Sequence, residues 1–332
     1  MNTNPEVKLK KPKILPAFVS GFNTTANNIH LIILPIIVDL FLWFGPHFSL
    51  ERFLSPFVEK IPQLPGFDTP QISELIGDFT TLLAEITAQF NLSILIRTFP
   101  VGVPSLISGI SPNNNPVGTP VKLDLLTSGN VIVSLIAVLL LGFIFGSFFF
   151  QQTASSILTD IKKRTLGDFT KATLQIILLP VILIAVLFFI SIPGMLIISI
   201  LNILSPMIGQ IGLFIILVLM IWLLIPLFFT PHSIYLYRQN LITSLMTSIS
   251  IVRFSLPGST IFLLSAFFIS EGSNMLWLVP PTDSWMLLVG ILGHAFISTA
   301  VLASSYHYFL NATQFTQSVL NNLKKDTLTS KI

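Results

Sequence analysis

Residues 130–150 read NVIVSLIAVLLLGFIFGSFFF, an apolar stretch without a single charged side chain. As a helix rising about 1.5 Å per residue it is about 32 Å long, enough to cross a hydrocarbon core of about 30 Å. Comparable runs lie at 29–46, 173–200, 208–230, 255–271 and 284–306, the first and fifth being the shortest. Only 9% of the 332 residues are charged and 52% are hydrophobic, with 29 Phe. Soluble domains carry roughly 25% charged residues, so this chain has too few to cover a water-facing surface. The composition excludes disorder, a coiled coil and a soluble enzyme. It indicates an all-α polytopic membrane protein with six transmembrane helices.

The basic residues then orient the spans. Segments 1–28, 151–172, 231–254 and 307–332 hold 13 of the 17 Lys and Arg side chains against four acids. The opposite side, dominated by residues 47–129, holds Arg52, Lys60, Arg97 and Lys122 against nine acids. Positive charge marks the cytoplasmic side, so both termini are expected there. The basic stretch Lys8 to Lys13 ahead of the first span has the look of a signal peptide. The run that follows contains Asp39 and ends in Trp43-Phe44-Gly45-Pro46, with no small-residue cleavage site, so it is read as an uncleaved helix. Net charge of +3 is too mild to argue for nucleic acid, and with no cysteine there is no disulfide, thiolate or Cys-metal chemistry.

Residues 47–129 form the one sizeable extracytoplasmic region. Within it Ile72, Leu75, Ile76, Phe79, Leu82, Leu83, Ile86 and Phe90 recur at helical spacing, which predicts an amphipathic helix within 71–98. Its acidic polar face disfavours anionic lipid, so it is expected to cap the bundle. The turn-rich segments 99–105 and 113–120 are expected to be rigid connectors.

On the cytoplasmic side three stretches pair an apolar stripe with basic flanks, as interfacial helices do. They are 151–172, 231–254 and the start of 307–332. Pro35, Pro180 and Pro257 each stand early in an apolar run that continues into Phe-rich sequence, which allows a threefold repeat of lead-in helix followed by span. The stretch Arg238-Gln239-Asn240-Leu241 through Ser248, Ser250 and Val252-Arg253 resembles a class of uncharacterised six-span bacterial membrane proteins that includes the membrane region of some glycerophosphodiester phosphodiesterases. The resemblance covers the last four spans and carries no hydrolase domain. The loop Pro100-Val101-Gly102-Val103-Pro104-Ser105 is similar to one in such proteins and implies no activity.

Two ionisable side chains lie away from the span ends: Asp39, about 10 Å deep, and His294, about 15 Å deep. Such groups cost roughly 2.5–3.5 kcal/mol to insert and default to functional hypotheses. If spans one and six are neighbours the two can meet, as a proton-linked pair lining a cavity. The bland alternative is an interface Asp and a neutral His bonded between helices. His30, His232, His47 and His307 read as interfacial. Pro193-Gly194 are expected to break the third span, as transporter helices break at binding sites. Gly142 and Gly146 in span two predict close helix contact.

Six spans, a large first outer loop and Gly293-His294 also resemble rhomboid proteases. Those need a serine nucleophile in span four, and residues 212–230 contain none. The expected function is therefore a non-enzymatic structural, assembly or accessory component without cofactor or metal. Its partners would be the lipid bilayer and another membrane protein or a second copy, with no nucleic acid. A permease-like transporter of a small molecule or lipid is the alternative, and an intramembrane hydrolase the remotest.

Overall fold

A computed structural model describes residues 11–63, 70–110, 112–158 and 165–329. Ten α-helices carry the fold: α1 Ile14–Asn27, α2 Ile33–Phe44, α3 Glu51–Val58, α4 Pro70–Gln89, α5 Ser128–Ile157, α6 Leu166–Leu204, α7 Pro206–Leu224, α8 Thr230–Tyr237, α9 Leu241–Trp277 and α10 Leu287–Thr329. Two short strands, β1 His47–Ser49 and β2 Lys122–Asp124, pair in parallel at one end of the bundle. Among the described residues five helical stretches are long and apolar enough to cross a membrane, or six if the bent pair 14–27 and 29–44 counts as one span. The chain is an all-α polytopic membrane protein. Lys8, Lys10, the basic cluster at 162–164 and the last three residues lie outside the described residues.

Several boundaries differ from those expected. The first span does not begin as a clean helix at 29. Asn28 leaves the helical region (φ −130°, ψ 57°), and α1 meets the 29–44 half at 90°. Asn28 also donates its amide to the Thr24 carbonyl at 2.9 Å, closing the end of α1. Instead of a loose terminal segment, α1 is a packed helix. Gly21 lies against Ser304 of α10, Thr24 bonds His307 at 2.8 Å, and Phe18 stacks on Phe262 of α9 at 5.0 Å.

No break occurs at Pro193-Gly194: α6 runs on through both, and through Pro180. One interior proline costs about 3 kcal/mol. Opening a helix against lipid strands several backbone groups at several kcal/mol each, so continuity wins. Gly194 instead lets Ile216 of α7 approach. The backbone departs from helical values at Ser255 in α9, just before Pro257. Two of the three prolines of the proposed repeat thus follow a bend, and Pro180 does not.

The stretch after residue 306 is not a separate tail, since α10 continues to Thr329, burying Tyr308, Phe309, Ala312 and Thr316. At the far end, α4 ends at Gln89, short of the expected 98. Along its stripe Phe79, Leu82 and Ile86 are about half exposed (48%, 53% and 52%), while Ile76, Leu83 and Phe90 are partly buried.

Candidate functional site

The connection between α2 and α5 behaves differently from a surface loop. Two single-turn 3-10 helices, Leu92–Ile96 and Ile107–Gly109, flank a segment whose Val101, Val103, Leu106 and Ile107 are almost wholly buried. Phe99 and Pro100, midway along it, share a cavity with Leu302 of α10. From Leu287 at the start of α10 to Leu302 is about 22 Å along the helix axis. Residues 91–110 therefore plunge into the bundle and return.

Irregular backbone at that depth survives only where protein satisfies its polar groups. The sequence supplies this in three places. Gly142 and Gly146 do not bring two helices together. A side chain at Gly142 would strike the Ile96 carbonyl and Thr98, and one at Gly146 would strike Gly102 and the Val101 carbonyl. The Gly-x-x-x-Gly face of α5 is thus the seat of the inserted backbone. Thr98 donates its hydroxyl to the Val101 carbonyl at 2.6 Å, holding the tip. Asp39, fully buried on α2, accepts the Ser105 hydroxyl at 2.5 Å and the backbone N–H groups of Ile107 and Leu106 at 3.0 and 3.2 Å.

Asp39 and His294 are not hydrogen-bonded to each other, although α2 and α10 pack together. His294 Nδ1 bonds Asn274 Oδ1 of α9 at 2.8 Å, and the Asn274 amide reaches Glu271 at 3.3 Å. With Nδ1 carrying the proton, Nε2 is an acceptor, buried and unpartnered among the described residues. Trp277 meets Gly290 of α10 with its backbone and Gly293 with its indole ring. A polar line Glu271–Asn274–His294 thus enters the bundle between α9 and α10, while Asp39 serves the inserted loop. Arg97 stands near enough to both Asp39 and His294 for its charge to act on each.

His232 is not interfacial either. It is buried among Phe150, Phe228, Phe229, Tyr306 and Phe309, with Nε2 2.7 Å from the Ser305 hydroxyl. His47 is buried in β1, His307 is tied to α1, and His30 alone is exposed. Among the described residues no three His, Asp or Glu side chains gather as a metal ion requires.

Beside the inserted loop lies a groove made of two adjoining cavities, about 270 and 560 Å³, that share Phe99, Pro100, Phe150, Phe228 and Leu302. One end carries Arg97, Ser270, Ser298 and Ser305. The other is lined by Leu179, Leu183, Leu224, Ile225, Leu263 and Phe267. Phe99, Phe228 and Phe267 at its edge are 70%, 42% and 58% exposed, so the groove opens sideways, where lipid would lie. Sequence reasoning missed these residues because Arg97 reads as an outer-loop charge. The signal was present in Leu92-Ser93-Ile94-Leu95-Ile96-Arg97, an apolar run leading into the one cation. No family model, curated protein or solved structure matches this chain.

Proposed function

We propose that this chain is a non-enzymatic accessory protein of a bacterial plasma membrane that holds a lipid molecule in its lateral groove. In this reading six spans cross the bilayer, both termini are cytoplasmic, and the basic connections 151–172 and 231–254 lie at the cytoplasmic surface. The inserted loop enters from outside. The observation that carries the lipid reading is the continuity of the groove. An apolar cavity of about 560 Å³, within the usual range for ligand sites, runs into a polar end and is open to the side. Acyl chains fit such a groove, and a water-soluble solute would waste its apolar half.

The test is the lipid retained by the detergent-purified protein, counted by native mass spectrometry. Ala266 is 9% exposed and lines the smaller, polar-ended cavity, so Ala266→Phe would fill that end of the groove. Wild type should retain about one phospholipid and Ala266→Phe none, at unchanged elution volume. Equal retention by the two proteins would remove the reading.

The line Glu271–Asn274–His294 favours a second reading, a proton-linked permease. The cysteine-free chain makes it testable. Ser298 borders the groove, and a cysteine there should resist impermeant thiol reagents if lipid fills it, but react if water does. A cysteine at Thr80 should react from outside and one at Thr327 should not; the reverse pattern would invert the topology.

A further inference from the structure

Arg97 is the one cation lining the groove, and among the described residues it has no ion pair. The ion pairs present are Arg52–Asp124 at 3.0 Å and Arg238–Asp168 at 4.0 Å, neither near the groove lining. Asp39 forms no ion pair with it and spends its oxygens on the Ser105 hydroxyl and the Leu106 and Ile107 N–H groups. The cavity that Arg97 lines also carries Thr98, Ser270, Ser298 and Ser305, and its apolar lining includes Phe149, Phe150 and Phe228. Arg97 is exposed where it lines the groove, and a cation at membrane depth calls for an anion to complete it.

We infer that the groove selects an anionic phospholipid, its phosphate paired with Arg97 and its acyl chain laid along Phe150, Phe228, Leu263 and Phe267. This rests on the lipid reading above and adds the chemistry of the headgroup. A guanidinium presents a planar fork of N–H donors that matches two phosphate oxygens at once. Ser270 on α9 offers a further hydroxyl donor, while the Ser298 and Ser305 hydroxyls are given to the His294 and Leu302 carbonyls. A free phosphate ion would find the same fork but leave the 560 Å³ apolar cavity unfilled, whereas one amphiphile occupies both ends. A zwitterionic lipid brings its own cation to the Arg97 end and loses the charge match.

The experiment is native mass spectrometry of the delipidated protein with equimolar phosphatidylglycerol and phosphatidylcholine of identical acyl chains. Wild type should carry phosphatidylglycerol in at least tenfold excess. In Arg97→Gln the ratio should fall toward one while total bound lipid persists, and Arg97→Lys should keep part of the preference. A wild-type ratio near one, or a preference undiminished in Arg97→Gln, would overturn the headgroup assignment and leave the groove reading standing. Loss of both lipids from wild type would remove the groove reading itself. Lys11 and Lys13 line a separate polar cleft with Asn311, Gln314 and Ser318. A preference abolished by Lys11→Gln/Lys13→Gln but kept in Arg97→Gln would move the headgroup site there and refute the proposal. As a measurement independent of variant folding, a photoreactive phosphatidylglycerol should label wild-type peptides spanning 97–104 and 298–305. Labelling confined to 11–16 and 311–318 would refute it too.

Discussion

Substituting Asp39 tests whether a carboxylate inside the bundle is the clasp of an inserted loop. It accepts the Ser105 hydroxyl and two backbone N–H groups, from Leu106 and Ile107, and is fully buried. In Asp39→Ala the Ser105 hydroxyl can turn, and its oxygen still accepts the Ser108 N–H at 3.0 Å. The two main-chain donors cannot turn. Each buried, orphaned donor costs about 1–3 kcal/mol, so the pair costs about 2–6, and we expect about 4 kcal/mol. Asp39→Asn keeps one acceptor oxygen but turns an amide toward a donor, and should cost about 2 kcal/mol. Ser105→Ala removes one bond of the three and should cost about 1 kcal/mol. The assay is reversible unfolding in mixed micelles together with hydrogen exchange at the Leu106 and Ile107 amides, which should lose protection first in Asp39→Ala. If Asp39→Ala costs under about 1 kcal/mol and those amides stay protected, the clasp does not exist. A cycle with His294→Ala separates this from an Asp–His pair. The two share no hydrogen bond, so their effects should add within about 0.5 kcal/mol.

Gly146→Val should lower stability by at least the roughly 1–3 kcal/mol of an overpacked core, because the added carbons meet rigid loop backbone at Gly102. The same substitution at Gly77, where nothing lies within 4 Å, should be near neutral in a thermal melt. His47, in β1 outside the spans, is held below the ordinary imidazole range, first by burial and then by Lys122, its partner across the strand pair. Folded His47 is thus neutral while the unfolded chain takes up a proton near its ordinary value of 6.5. Its contribution is full above that pH and is lost as pH falls below it toward the folded value. His47→Gln should flatten that acid-side slope in pH-dependent unfolding, and an unchanged slope would contradict the assignment.

Membrane residence and helical class were legible in the residues because they follow from quantities summed along the chain. Twenty consecutive apolar side chains admit one solvent and, in that solvent, one self-satisfied backbone. The run 130–150 needs no neighbour to be read. Pro257 stands two residues beyond the bend at Ser255, because its effect on the backbone is local. Pro193-Gly194 carried the same local signal and gave no bend, because continuity of α6 against lipid outweighs one missing hydrogen bond.

The pairings were not legible. Asp39 could be recognised as costly from its position alone, but its partners stand 66 to 68 residues away in a segment whose turn chemistry reads as surface. Gly142 and Gly146 announce that something approaches α5 closely, and the spacing is the same for a helix as for an inserted loop. His294 found Asn274 in place of Asp39 because both helices offered it a polar neighbour and geometry chose one. Local pattern sets which backbone can exist in lipid. Which buried polar group meets which is decided only when distant segments close on each other, since an unpartnered group in a dry interior costs more than any propensity encoded at the site itself.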